Sequence, residues 1–315
     1  MHPALSIIIF TTVSGAGYGM LVWYGLMSAF YGTSGERVVA LVVLPFALLL
    51  VTAGLLSSTF HLGRPERAWR ALSQWRTSWL SREGICSFAT YVPAGLLTLA
   101  WIVRPAPGAI AVTLGLATAF ASLVTIYCTA MIYASLKTVH QWCNPYVVPN
   151  YLALGLYSGA LLLSAALHLV GHGSPNVDLI AVIAGLAALA GKLSYWRFIA
   201  TTRHPSSPES ATGLGQFGKV SLFEAPHTEE NFLMREMGFT IARKHAEKLR
   251  MLSLLALFAA PLTLMLIAVL TGGVTAAVVT IVAVLLAAIG VFLERWLFFA
   301  EARHVVTLFY GARAA

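Results

Sequence analysis

Two short polar segments carry the residues whose types and spacing could do chemistry. His61 ends the second long apolar run of the sequence, and Glu83 begins the third. A chain that leaves a membrane between consecutive helices re-enters from the same surface, so both side chains are expected at one membrane surface. An imidazole and a carboxylate placed there can relay protons near neutral pH. His61 and Glu83 are therefore the candidate catalytic residues.

The residues around this pair suit a flat ligand with two carbonyl groups. Arginine and serine side chains can donate hydrogen bonds to carbonyl oxygens, and tryptophan offers a flat apolar surface beside lipid. A quinone head group needs these donors, a stacking wall and a proton route to water. We predict quinone contacts from Arg64, Trp79, Ser81 and Arg82.

An alternative explanation of the same segments stays open at this point. Tryptophan and arginine at helix ends are common anchors at the membrane–water interface. Glu66 and Glu83 could also pair with the neighbouring arginines. In that case the two segments would only fix the ends of two helices.

Membrane helices are the elements that must position these residues. Of the 315 residues, 58% are apolar and 10% are charged, and the mean hydropathy is +0.80, whereas soluble domains average about 25% charged residues. Crossing a bilayer takes about 20 apolar residues. Eight runs qualify: Ala4–Phe30, Val38–Phe60, Gly84–Val103, Gly108–Leu136, Val148–Val170, Leu179–Ala200, Met251–Thr271 and Gly273–Ala300. The sequence therefore predicts an all-α polytopic membrane protein with eight transmembrane helices. No signal peptide is recognisable before the first run, so we expect that run to remain as a membrane helix.

Basic residues predict the orientation of these helices. With eight spans both termini lie on one side, together with the loops after spans two, four and six. Of the 20 lysines and arginines, only Arg37 and Arg104 fall on the other side. Positive charge is enriched on the cytoplasmic side of membrane proteins. We therefore expect cytoplasmic termini and a bacterial inner-membrane location, and the basic balance implies no nucleic-acid partner.

Two loops on the predicted cytoplasmic face are too long to serve only as connections. They cover residues 61–83 and 201–250. The second ends in a stretch from Glu229 to Leu249 whose apolar residues recur at helical spacing, which predicts an amphipathic helix. These loops are the candidate docking surface for partner subunits.

Other ionisable and small residues allow two explanations each. Glu294 lies inside the last span, where a carboxylate is functional or paired, and Arg295 is a local partner. Lys192 lies about two turns inside the sixth span, and we expect it to extend to the membrane surface. Gly15 and Gly19 are four residues apart, which favours close helix packing and also allows a gap for a flat ligand.

The metal-binding potential of the chain is small. Cys86, Cys128 and Cys143 form no CxxC pair and cannot build a four-cysteine site. Paired histidines inside facing spans, which a b-type haem would need, are not evident, because most histidines lie at helix ends or in loops. We therefore predict no metal site, haem or iron–sulfur cluster in this chain.

The two polar segments also resemble a known family. HLGRP at His61–Pro65 and SWLSRE at Ser78–Glu83 resemble the membrane anchor subunits of dimethyl sulfoxide reductase-type molybdoenzymes, within the polysulfide-reductase-like anchor superfamily. The opening of the chain, from His2 to Gly19, looks similar as well. The resemblance extends over essentially the whole chain.

The resemblance implies a complex of three subunits. A catalytic subunit would hold molybdopterin, a second subunit would hold iron–sulfur clusters, and the anchor would bind ubiquinone or menaquinone. The family's quinol-linked histidine and glutamate match His61 and Glu83. The fold would be two four-helix bundles, one in residues 1–145 with the site loop 61–83 and one in residues 146–315 with the loop 201–250.

The segment from Glu224 to Ala246 looks closer to the membrane subunit of quinone-linked sulfite dehydrogenase, a cytoplasmic branch of the family. Electrons would then pass from sulfite to quinone, whereas a dimethyl sulfoxide reductase would oxidise quinol. A transporter and a purely structural tether are the alternatives from other classes. Polar residues near the midplane are scarce, which argues against the transporter.

Overall fold

The computed structural model describes residues 4–30, 37–60, 62–104, 106, 108–224, 227, 229, 231–237 and 245–314. Within these ranges, eight helices are long and apolar enough to cross a membrane. They are α1 (Leu5–Phe30), α2 (Arg37–Thr59), α3 (Trp79–Val103), α4 (Ala109–Ala134), α5 (Val147–Leu169), α6 (Pro175–Thr201), α7 (His245–Leu270) and α8 (Gly273–Ala300). The predicted all-α architecture with eight spans is confirmed.

Several helices begin before the apolar runs that predicted them. α3 begins at Trp79 because Ser78 caps it, and the Ser78 side chain accepts a hydrogen bond from the Ser81 amide. Ser81, Arg82 and Glu83 therefore lie in the first turns of α3, although the apolar run begins only at Gly84. α6 and α7 also begin earlier, at Pro175 and His245. These helices extend beyond the hydrocarbon core into the polar interface. A hydropathy criterion finds only the apolar part of a helix and therefore misses its polar first turns.

Close packing between α1 and α5 depends on glycine. A β-carbon on Gly19 would collide with the backbone of Gly155, and one on Gly159 would collide with the backbone of Gly19. Gly15 differs, because a β-carbon there would meet nothing within 4 Å. The packing role is confirmed for Gly19, while Gly15 borders a small internal cavity.

Aromatic side chains join the two halves of the chain in one core. The rings of Tyr133 and Tyr151 stack at 5.7 Å, and Phe298 meets Tyr133 edge-on at 5.6 Å. The indole of Trp142 donates a hydrogen bond of 3.0 Å to the Phe298 carbonyl. The core thus continues from α4 to α5 and α8, across the predicted boundary at residue 145. The grouping into two bundles stays a prediction.

Prolines occur beyond the first turn in three of the spans. Pro45 and Pro93 lie inside continuous helices, and a π-helical turn (Leu255–Ala259) precedes Pro261. Proline has no N–H to bond the carbonyl four residues earlier, which here belongs to Leu257. The Tyr157 hydroxyl of α5 donates to that carbonyl at 3.1 Å.

The face that carries the chain's C-terminal end is assembled from three segments. Val305 donates a backbone hydrogen bond of 3.1 Å to Thr138, between α4 and α5. His204, which follows α6, contacts the carbonyl of Lys137 at 3.0 Å. Of the predicted amphipathic stretch, the structure shows a short helix at Phe232–Met237 and the start of α7, and residues 238–244 lie outside the described part.

Candidate functional site

Glu83 is a buried carboxylate at the beginning of α3. The residue is 4% exposed, and the Ser87 hydroxyl lies 3.2 Å from its Oε1. The same hydroxyl lies 2.8 Å from the Glu83 backbone carbonyl, so it can donate to either oxygen. Tyr18 of α1 lies within electrostatic reach of the carboxylate. Its predicted partner His61 lies outside the described residues.

Ser81 and Arg82 attach the preceding loop to α3. The Ser81 hydroxyl donates to the Ala71 carbonyl and accepts from the Gln74 amide at 3.1 Å. Arg82 donates to the carbonyls of Trp75 and Arg76, at 2.9 and 2.7 Å. In this structure the donors that we predicted as quinone contacts face the loop. Their contacts hold the 3₁₀ helix Pro65–Gln74 against the head of α3.

Trp79 lies at the head of the same helix and is partly exposed. The Arg82 guanidinium carbon lies 4.2 Å from the centre of its ring, and Tyr127 of α4 meets the ring edge-on at 5.8 Å. Arg64 is in a different environment, with its side chain 69% exposed and 4.0 Å from Glu66. The structure thus brings Trp79, Arg82 and Glu83 to one helix end, with Arg64 in the exposed part of the loop.

Several neighbours of Glu83 were missed in the sequence. Ser87 follows by four residues, a spacing that places it on the same helix face, and it could have been found. Tyr18 required the approach of α1, which the sequence does not provide. The sulfur atoms of Cys86 and Cys128 lie 4.0 Å apart, between α3 and α4, a proximity that the spacing of the cysteines in the sequence did not indicate.

A buried charge cluster (Lys192, Glu294 and Arg295) lies between α6 and α8. The Lys192 ammonium contacts Oε1 of Glu294, and Arg295 Nε lies 3.1 Å from Oε2. The guanidinium of Arg295 also lies 3.9 Å from the ring centre of Tyr151. The pairing of Glu294 with Arg295 is confirmed. The expectation for Lys192 is wrong, because the residue is 2% exposed and turns toward Glu294 instead of the surface.

A second buried polar group lies at the opposite ends of α5 and α6. The Asp178 carboxylate accepts from the Ser164 hydroxyl at 2.5 Å, and its Oδ2 lies 3.0 Å from Nε2 of His168. These contacts join the end of α5 to the first turn of α6. In the part of the chain that the structure describes, no cluster of three or more His, Cys, Asp and Glu side chains could hold a metal ion.

A polar pocket of about 470 Å³ opens at the face that carries the C-terminal end. This membrane-face pocket is lined by His140, Gln141, Ile199, Ala200, Thr202, Arg203, Ala246, Arg250, Glu301, Arg303 and Ala314. Arg250 Nε lies 2.9 Å from Oε1 of Glu301. Burial and the nearby His204 lower the pKa of His140, and burial lowers the pKa of His304. The pocket has three arginines and one carboxylate, so its net charge is positive.

Comparisons with known proteins identify the family of this chain. Residues 1–312 match the family described as DMSO reductase anchor subunit (DmsC). The chain is 36% identical, over 332 aligned positions that cover all of both chains, to a subunit of the sulfite dehydrogenase of Allochromatium vinosum. It is 26% identical to the anaerobic dimethyl sulfoxide reductase chain YnfH of Escherichia coli, over 58% of this chain and 64% of that protein. The protein is thus a multi-pass membrane anchor subunit that belongs to the DMSO reductase anchor (DmsC) family.

Proposed function

We propose that this anchor subunit is the quinone-reactive subunit of a molybdopterin and iron–sulfur oxidoreductase. It would pass electrons between an iron–sulfur partner subunit and ubiquinone or menaquinone in the membrane. The catalytic subunit with the molybdopterin would complete the complex. The match to the anchor family supports the role of anchor, and the residues at the N-terminal end of α3 support the quinone chemistry.

The buried carboxylate of Glu83 is the observation that carries this proposal. A carboxylate at a helix end that only anchored the helix would lie in the interface and contact water or the nearby arginines. Glu83 is instead covered, and its carboxylate accepts from the uncharged Ser87 hydroxyl. Ionisable groups in such positions mark functional sites in membrane proteins. Trp79, one helical turn earlier and partly exposed, supplies an apolar wall.

The residues at this site can bind, orient and protonate a quinone. Glu83 would hold a proton at its carboxylate, and His61 would exchange protons with water at the same surface. Trp79 would cover one face of the ring. Ser81 and Arg82 would position the loop and Trp79, and Arg64 would reach a carbonyl only after the loop moves. A bound quinone would supply the two-electron acceptor.

Sulfite oxidation with electron transfer to quinone is the favoured direction. The relative named as a sulfite dehydrogenase subunit matches over the full chain at 36% identity. The relative named as a dimethyl sulfoxide reductase chain matches over 58% at 26% identity. A quinol-oxidising dimethyl sulfoxide reductase remains the alternative.

We further propose that both termini and the long loops face the cytoplasm, in the bacterial inner membrane. Only Arg37 and Arg104 among the lysines and arginines fall on the other side, which agrees with the positive-inside rule. The iron–sulfur subunit would dock on this face. The positively charged membrane-face pocket supports an acidic docking surface on that partner.

The proposal is tested with Glu83→Gln in the assembled complex. Quinone reduction should fall by about 10²-fold or more, the contribution of a positioned acid or base. Reduction of a soluble acceptor that takes electrons directly from the catalytic subunit should not change. Glu66→Gln is the matched control, since this exposed glutamate lies in the loop next to the site. Equal quinone rates for Glu83→Gln and Glu66→Gln would refute the proposed site.

A further inference from the structure

The buried charge cluster holds one more positive than negative charge when all three groups are ionised. Lys192 and Arg295 are cations and Glu294 is the single anion between them. Arginine keeps its proton in proteins, whereas a buried lysine can lose one. Loss of one proton would bring the cluster from +1 to neutral, and burial favours the neutral state. Lys192 is therefore the group of the cluster whose loss of a proton would make the cluster neutral.

The outer side of the cluster lies next to the membrane-face pocket. The Lys192 nitrogen lies 4.2 Å from the ring centre of Tyr195 and 4.9 Å from that of Trp196. The guanidinium of Arg250, which lines the pocket and pairs with Glu301, lies 5.5 Å from the same Trp196 ring. One layer of two aromatic side chains thus separates Lys192 from an open polar pocket.

The inner side of the cluster borders a small internal cavity of about 20 Å³, which is room for one water molecule. Arg295 and Tyr151 form one part of its wall, and Tyr18 forms another. In the described part of the chain, the Thr12 hydroxyl lines this cavity without a hydrogen-bond partner, whereas the Tyr18 hydroxyl lies near Ser87 and the Tyr151 hydroxyl lies near Arg295. Buried hydroxyls of this kind are commonly satisfied by an internal water. Tyr18 lines the cavity and also interacts with Ser87 and Glu83, so this tyrosine connects the cavity wall to the site.

The buried face of α6 between the cluster and the opposite membrane surface is apolar. On α6, the buried residues between Asp178 and Lys192 are Ala181, Val182, Gly185 and Ala188. These side chains cannot carry a proton. The polar pair of Asp178 and His168 is therefore separated from Lys192 along this helix, and the open pocket lies on the other side.

We propose that Lys192 and Glu294, held beside the fixed charge of Arg295, form a proton-loading site that takes protons from the membrane-face pocket and supplies them to the quinone site. This inference rests on the proposed function. Reduction of a quinone to a quinol consumes two electrons and two protons. The iron–sulfur subunit supplies the electrons, Glu83 supplies one proton and regains it from His61, and Lys192 supplies the other through Glu294 and the cavity beside Arg295. Lys192 then regains its proton from water in the pocket.

The test compares Lys192→Arg with Lys192→Met in the assembled complex. Arginine keeps the positive charge but cannot release a proton, while methionine removes both. Both variants should reduce quinone about 10- to 100-fold more slowly, with a larger loss as the pH rises and protons become scarce. Reduction of the soluble acceptor should remain at the wild-type rate, and co-purification of the partner subunits with the anchor reports intact assembly. Arg104→Met is the control, because Arg104 is an exposed cation on the opposite membrane face, away from the proposed docking surface.

The outcomes separate this inference from the function on which it rests. A wild-type quinone rate and pH profile in Lys192→Arg, with a loss only in Lys192→Met, would show that the lysine supplies charge alone and would overturn the inference. The same holds if Glu83→Gln abolishes quinone reduction while both Lys192 variants leave it unchanged. If Glu83→Gln has no effect either, the proposed function itself fails.

Discussion

Removal of the one anion from the buried charge cluster should destabilise the protein far more than removal of one of its two cations. With all groups ionised the cluster carries +1. Glu294→Gln raises this to +2, with Lys192 and Arg295 left close together and unpaired. Lys192→Met lowers it to zero and keeps the contact of 3.1 Å between Arg295 and Glu294.

The magnitudes follow from the cost of buried charge. Breaking a buried ion pair by removing one partner costs about 3–5 kcal/mol, which is the expected loss for Glu294→Gln. Replacement of buried charge by an apolar side chain of similar volume is often neutral or stabilising, so Lys192→Met should stay within about 1 kcal/mol of the wild type. The double variant returns to +1 and should recover part of the loss, because Arg295 alone is then left without a carboxylate partner.

These differences in stability are measured by unfolding the protein in detergent micelles with increasing denaturant. The loss of the helical circular dichroism signal monitors the unfolding. Lys137→Met controls for removal of a lysine from an exposed position. Equal destabilisation by Lys192→Met and Glu294→Gln would refute the assignment of the loss to unbalanced charge. A double variant less stable than Glu294→Gln alone would refute it as well.

Three further predictions concern other parts of the fold. Gly159→Leu should prevent the close approach of α1 and α5, because even a β-carbon at this position would collide with the backbone of Gly19. The expected result is loss of the folded species in size-exclusion chromatography. A normal elution profile would contradict the prediction. Mild oxidation should form a disulfide between Cys86 and Cys128, because their sulfur atoms lie 4.0 Å apart. Mass spectrometry after proteolysis would identify the disulfide. If both thiols still react with a bulky maleimide after the oxidation, the predicted disulfide has not formed. Acidification through pH 6.5 should lower the melting temperature. Burial, together with the charge of the nearby His204, lowers the pKa of His140 below its ordinary 6.5, so the unfolded chain binds more protons at this residue than the folded chain. His140→Gln should reduce this loss of stability, and an unchanged pH dependence of the melting temperature in that variant would exclude His140 as the cause.

The number of helices follows from the sequence because the bilayer sets a minimum apolar length. The start of α3 could also have been placed, since Ser78 precedes the helix with the cap chemistry that favours an N-terminus. The apolar run indicated Gly84 instead, because hydropathy marks the lipid-facing part of a helix and misses its polar first turn. This difference matters for the site, since it places Glu83 in the second turn of the helix and not at the boundary of the helix.

Contacts between distant spans could not be predicted from one sequence. Lys192 and Glu294 are 102 residues apart, and the pattern within α6 does not fix the rotation that turns Lys192 inward. The bond from the Tyr157 hydroxyl to the Leu257 carbonyl was equally hidden, since that contact depends on how α5 packs against α7. The quinone contacts predicted for Ser81 and Arg82 came from residue type alone. Residue type did not reveal that both side chains donate hydrogen bonds to backbone carbonyls of the preceding loop.

Photoaffinity labelling tests the proposed quinone site most directly. A photoreactive quinone would be added to the assembled complex in native membranes, and labelled peptides would be mapped by mass spectrometry. We predict that label concentrates in the peptide that contains Trp79 and Glu83, and that excess unmodified quinone prevents it. Two results would contradict a quinone site at the N-terminal end of α3. One is label concentrated on other spans, and the other is labelling of this peptide that excess quinone does not reduce.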